Sequence, residues 1–186
     1  MKAGVLALQG DFREHAAVLK DLGASPILVR TADELASVDC LAIPGGESTT
    51  IGRLAALHGL VEPIRERVAA GMPVFGTCAG MIVMATEVDG GDPLLSVLDI
   101  RVARNGYGSQ LDSFEADVPL RGEDRPVRAV FIRAPVVEEV GQGVEVLGEL
   151  EGRPIVVEQG RLLAAAFHPE LAGDGRLHRR LLQNVG

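Results

Sequence analysis

Pro73-Val74-Phe75-Gly76-Thr77-Cys78-Ala79-Gly80-Met81-Ile82-Val83-Met84-Ala85 holds the fold's repeating unit in thirteen residues. A short apolar strand ends at Phe75, and an apolar helix follows through Ala85. Between them lies Gly76-x-Cys78-x-Gly80, the setting of a nucleophile elbow, in which a tight turn exposes one side chain above the sheet. A strained turn tolerates little bulk beside it, which explains the glycines. The helix start aims free N–H groups and a positive dipole end at the cysteine, and both favour thiolate over thiol. The competing reading of Cys78 is a small cysteine buried between core segments.

The same alternation extends toward the N-terminus. Residues 4–8 read as a buried strand, and Phe12, Ala16, Leu19 and Leu22 form a helical stripe that Gly23 can end. Residues 26–30 are the next strand, 33–38 a short helix, and Cys40-Leu41-Ala42-Ile43 a third strand closed by Pro44-Gly45-Gly46. One helix starts near Ser48, and another carries Pro63 in its first turn and stops at Gly71. Strands alternating with helices imply right-handed crossovers, hence a doubly wound α/β fold with a mostly parallel sheet and helices on both faces. From about residue 94 strands follow one another, at 98–104, 127–132, 144–150, 154–158 and 162–167. They predict an antiparallel extension of the sheet, with a last helix near 176–184.

Composition agrees with one core. The chain has 186 residues, 47% hydrophobic and 24% charged, and its 23 Gly and 10 Pro are dispersed without linker, repeat or low-complexity tract, so 1–186 reads as a single domain. With no Trp and a single Tyr, Tyr107, the core rests on Ala, Val, Leu and Ile, which suits parallel strands covered by helices. A net charge of -8 argues against a nucleic-acid partner and favours small substrates or proteins. The start lacks the cleavage site of a signal peptide and no apolar run spans a bilayer, so the expected location is the cytoplasm and no membrane partner is expected. Cys40 and Cys78 are too few for a disulfide framework or a zinc cluster, and no metal or cofactor is expected.

A cysteine nucleophile needs a base. Of His15, His58, His168 and His178, only His168 ends an apolar strand, in Phe167-His168-Pro169-Glu170. Alternate residues of an extended chain share a side, so Glu170 projects beside His168 and can hold one ring nitrogen while the other faces Cys78. Taken alone, His-Pro-Glu reads equally as a surface turn. Pro44-Gly45-Gly46-Glu47-Ser48 follows a strand and opens a helix, so its N–H groups suit an anion or oxyanion, or else Ser48 merely caps the helix. No Lys follows, so it is not a P-loop.

Together these segments resemble the class I, triad-type glutamine amidotransferases, with the elbow cysteine and His-x-Glu in the same order. The likeness narrows through Leu8-Gln9-Gly10 with Glu14-His15, Pro44 to Thr50, Gly76 to Gly80, Arg104-Asn105, Phe131 to Pro135 and Phe167 to Leu171. These resemble the glutaminase subunits of pyridoxal 5′-phosphate synthases. The resemblance implies a triad of Cys78, His168 and Glu170 and a glutamine site of Gly46, Glu47, Ser48, Arg104, Ile132 and Arg133; in the thioester mechanism this suggests, the N–H groups of Gly46 and Ala79 hold the oxyanion. From spacing alone, Arg104 and Arg133 read equally as solvated strand-end residues. It also implies a separate synthase subunit as ammonia acceptor, with Gln9, Gly10 and His15 near that interface or coupling docking to activity. Two places depart from the pattern: Gly106-Tyr107-Gly108-Ser109-Gln110 has Ser109 where arginine is expected, and Ala166 replaces a hydroxyl residue. A glutaminase of another pathway, a cysteine hydrolase of similar architecture and a non-catalytic binding module are the competing readings.

Overall fold

The computed structural model describes residues 1–104 and 113–186, so the expectations at Asn105 and across 106–110 lie outside the described residues. In chain order the first half contains β1 (Lys2–Leu6), α1 (Phe12–Asp21), β2 (Ser25–Val29), α2 (Ala32–Ala36), β3 (Cys40–Ile43) and α3 (Ser48–Leu57). Next come α4 (Val61–Ala69), β4 (Val74–Thr77), α5 (Ala79–Met84), β5 (Ala85–Asp89), β6 (Leu98–Ala103) and β7 (Ser113–Val118). The chain closes with β8 (Val127–Ile132), β9 (Val136–Val140), β10 (Glu145–Leu150), β11 (Arg153–Gln159), β12 (Leu162–Ala165) and α6 (Arg176–Gln183).

The main sheet has the order β10-β11-β12-β4-β3-β1-β2. From β12 to β2 every neighbouring pair is parallel, whereas β11 runs antiparallel to both β10 and β12. Strands β3, β4 and β12 are buried at every position, as parallel strands with helices on both faces must be. Stepping from β1 outward to β2 and then back across to β3 reverses direction, so right-handed crossovers put α1 on one face and α2, α3 and α4 on the other. Helix α6 packs on α1, and α5 packs on α3, which completes the two layers. This is the expected doubly wound α/β architecture.

The expected extension is present as β10 and β11, but the remaining strands build separate sheets. Strands β5, β6 and β9 form one of three strands, and β7 with β8 forms a hairpin sheet of two. Ala85, expected in the helix, opens β5 instead. Only Val88 is buried between exposed Glu87 and Asp89, and a bulge between Ala85 and Glu87 breaks the alternation, so the local sequence carries no clean period-2 signal there. The β7–β8 hairpin is tied to the main sheet by aromatic packing. Phe114 stacks on Phe131 at 4.5 Å, and Phe131 meets Phe167 at 5.5 Å. Each of the two fully buried rings, Phe131 and Phe167, contributes about 1.5–3 kcal/mol by removal from water. Their packing also fixes the end of β12, because the His168 N–H donates to the Val130 carbonyl at 2.8 Å.

Candidate active site

Cys78 follows β4 at the carboxyl edge of the parallel sheet and caps α5, with φ 48° and ψ −105°. A non-glycine residue in that region stores on the order of 1–3 kcal/mol of strain, which the surroundings must hold. They do so through backbone contacts: the Cys78 N–H donates to the Ala165 carbonyl at 2.8 Å, and the Met81 N–H donates to the Cys78 carbonyl at 3.1 Å. The flanking glycines answer close approach. A Cβ on Gly76 would lie 2.7 Å from the Gly80 backbone and from Met84 Sδ, and one on Gly80 would lie 2.1 Å from the Ile43 carbonyl oxygen. Helix α5 is thereby pressed onto β3 and β4, leaving Cys78 at the turn's apex.

His168 lines the same cavity as Cys78. Its Nδ1 lies 2.7 Å from Glu170 Oε1 and 3.3 Å from Asp11 Oδ2. Gly45 packs against the ring, since a Cβ there would sit 2.2 Å from His168 Cε1. Burial opposes charge on this imidazole, but its interactions with Asp11, Cys78 and Glu170 outweigh that effect and push its pKa up to about 12. Burial likewise acts against the Glu170 carboxylate, and the adjoining His15 and His168 rings more than reverse it, holding the group well below the usual carboxylate range. An imidazolium beside Cys78 is the partner that a thiolate needs. Asp11, His168 and Glu170 also place three potential metal-donor atoms within 4.8 Å of one another. His168 Nδ1 is already engaged by the two carboxylates, so the cluster is suited to holding a proton rather than an ion.

Cys78 and His168 open into a cavity of about 440 Å³. The expected substrate residues Gly46, Glu47, Ser48, Arg104, Ile132 and Arg133 all line it, together with Ala79. Glu47, rather than Ser48, caps α3: its carboxylate accepts from the N–H groups of Thr49 at 3.0 Å and Thr50 at 2.6 Å. The Thr50 hydroxyl and these N–H groups lower its pKa to about 2. Arg104 donates to the Thr49 hydroxyl at 3.1 Å, which draws the end of β6 over α3. Arg133 adopts a left-handed φ of 44°, and Cys78 Sγ lies 3.8 Å from the Ile132 carbonyl oxygen.

The three residues expected near a partner interface divide. Gln9 Oε1 accepts from the Glu47 N–H at 2.7 Å and lines the cavity. Gly10, at φ 95°, backs onto the same turn, where a Cβ would lie 1.7 Å from the Gly45 carbonyl oxygen. His15 is fully buried on the inner face of α1 and offers no surface to a partner. Its spacing from Phe12 and Leu19 follows the helical period, a signal obscured when Ala16 is taken as the inward residue. Asp11, Ile82, Thr77 and His178 also border the cavity or the residues behind it without having been singled out from sequence. His178 falls between Leu177 and Leu181 on the buried side of α6, a position that was readable as core but not as chemistry.

The model of the SNO glutamine amidotransferase family matches residues 5–186. A pyridoxal 5′-phosphate synthase subunit PdxT from Acidothermus cellulolyticus is 60% identical, covering 95% of this chain and 90% of that protein. One from Chloroflexus aggregans is 54% identical over 98% of this chain and all of its own length, 100%. Among solved structures, a crystal structure of a glutamine amidotransferase has a TM-score of 0.94 at 49% identity, covering 99% and 98% of the two chains. PurLQS from Thermotoga maritima, at 16% identity and a TM-score of 0.73 over 100% and 98%, shares the fold. No helix among the described residues is long and apolar enough to cross a membrane. With this cavity and these relatives, the chain belongs to the SNO glutamine amidotransferase family.

Proposed function

We propose that the chain is the glutaminase subunit of a pyridoxal 5′-phosphate synthase, releasing ammonia from L-glutamine for a separate synthase subunit. The observation that carries this reading is that His168 and Cys78 share the cavity wall while His168 Nδ1 is held 2.7 Å from Glu170 Oε1. The Cys78 thiolate attacks the side-chain amide carbon, and the N–H groups of Gly46 and Ala79 receive the oxyanion. The tetrahedral adduct collapses as His168 protonates the departing nitrogen, so the C–N bond breaks and a glutamyl thioester remains. His168, now neutral, takes a proton from water. The hydroxide attacks the thioester, glutamate leaves, and the thiolate–imidazolium pair is restored. Glu170 holds the ring and offsets its charge throughout.

Arg104 and Arg133 suit the substrate's α-carboxylate, and the ionised Glu47 suits its α-ammonium. Ser48 and Ile132 complete the walls. Gln9 and Gly10 abut the Gly45-Gly46 turn, which supports a role in passing a docking movement to the oxyanion donor. The whole chain acts as one glutaminase domain in the cytoplasm, where both free cysteines stay reduced. Glutamate release, assayed with and without the synthase subunit, tests the reading. Strong stimulation by the subunit is expected, and equal turnover in both cases would contradict the coupling.

A further inference from the structure

The buried polar or charged side chains among the described residues are His15, Thr77, His168, Glu170 and His178, and they form one connected cluster. His15 Nδ1 lies 2.8 Å from His178 Nε2. On its other side, His15 Nε2 lies 3.0 Å from Thr77 Oγ1 and 3.5 Å from Glu170 Oε1. The same Glu170 oxygen accepts from His168 Nδ1. One imidazole therefore touches both halves of the reactive pair: the residue before Cys78 and the carboxylate behind His168. Phe75 closes the pocket edge-on against both rings, at 6.3 Å from His15 and 5.2 Å from His178.

Hydrogen-bond bookkeeping selects the tautomers. In the His15–His178 contact one nitrogen donates and the other accepts. If His15 Nδ1 donated, neutral His15 would turn a lone pair on the Glu170 carboxylate. His178 would then carry its proton on Nδ1, a buried atom with no hydrogen-bond partner. A buried donor left unpaired is costly. The reverse arrangement places N–H on Nε2 of both rings: His178 donates to His15, and His15 donates toward Thr77 and Glu170. Burial and the neighbouring His15 lower the pKa of His178 to about 3, which keeps that ring neutral.

We propose that His15 and His178 are positioning residues, a buried donor chain that ties the Cys78 elbow to the Glu170 carboxylate and holds His168 in register with the thiolate. Neither ring touches substrate. The chain runs from His178 Nε2–H to His15, and from His15 Nε2–H to Thr77 and Glu170. The catalytic consequence rests on the glutaminase reading above, whereas the tautomers do not.

Two measurements separate these layers. Long-range ¹H–¹⁵N spectra of the intact protein read the tautomers directly. Protons on Nε2 of both His15 and His178 are expected, and an Nδ1 proton on either ring would overturn the chain, whatever the activity. Glutamate release in the presence of the synthase subunit tests the consequence. His178→Leu should lower kcat about tenfold to a hundredfold while KM stays within about twofold, because only the alignment of the base is lost. His178→Gln restores an N–H at the Nε2 position and should recover most of that loss. A purely packing role predicts the opposite order, with Leu tolerated and the buried amide penalised, and that order would overturn the proposal. Wild-type protein that releases no glutamate with the subunit present would contradict the glutaminase reading instead.

Discussion

Cys40 lies in β3 and Cys78 directly follows the neighbouring parallel strand β4; both side chains are buried, yet they sit at opposite ends of the sheet. Cys40 opens β3, inside the core, with zero exposure. Burial pushes its thiol from an ordinary 9.0 up to about 12, which leaves it inert near neutral pH. Cys78 lies one residue beyond β4, on the strained turn that starts α5, beside an imidazole held charged by two carboxylates. The difference teaches that position along the strand, more than burial, decides what a cysteine can do. In an open α/β sheet only the carboxyl ends of the strands meet helix starts, loops and a shared crevice.

Substitutions that cross this divide break the comparison most sharply. Cys78→Ala should lower glutamate release by at least about 10⁴-fold with the synthase subunit present, because the covalent step disappears. Cys40→Ala should leave turnover within about twofold, since that side chain touches no part of the cavity. Glu170→Gln keeps the shape behind His168 but removes the charge, and kcat should fall on the order of a thousandfold with little change in KM. Gly80→Ala tests the elbow itself. A methyl 2.1 Å from the Ile43 carbonyl oxygen must displace α5, at a cost of about 2 kcal/mol in chemical denaturation and a loss of activity.

On the Cys40 side the effect is confined to alkaline pH. Its folded-state pKa is raised, so its contribution to stability is complete below about pH 9.0 and is lost as pH rises toward about 12. Over that window the wild type should lose at most about 1.4 kcal/mol per pH unit from this group, and Cys40→Ala should remove that part of the slope. Denaturant titrations at several alkaline pH values read it. Glu170 has the opposite sign, because its folded pKa is depressed. Its contribution is complete above the ordinary carboxylate value of 4.5 and is lost on acidification, which Glu170→Gln should abolish.

Much of this arrangement was legible in the residues. The strand runs Cys40–Ile43 and Val74-Phe75, the Gly-Gly turn and the Gly-flanked cysteine carry strong local signals, and they set the parallel half of the sheet. Strands β5, β7 and β9 were not read. Strand β5 follows an apolar helix without a turn residue, β7 alternates half-buried with exposed positions, and β9 breaks into charge after two valines. Their pairing is set by long-range partners rather than by local pattern. At the site, Cys78, His168 and Glu170 stood out because their residue types and order carry chemistry. Asp11, Thr77 and His178 did not, because their significance arises only where α1, β4, α6 and the end of β12 converge. His15 looked like a helix residue near an interface. It is fully buried, beside Thr77 and Glu170.

Covalent labelling reads the contrast between the two cysteines in one experiment. The intact protein, with the synthase subunit present, is treated with a diazoketone analogue of glutamine, and the modified residue is located by peptide mass mapping. The expected result is one adduct per chain, on Cys78, with Cys40 unmodified and the Cys78→Ala protein unlabelled. An adduct on Cys40, or equal labelling of the Cys78→Ala protein, would contradict the assignment of Cys78 as the nucleophile.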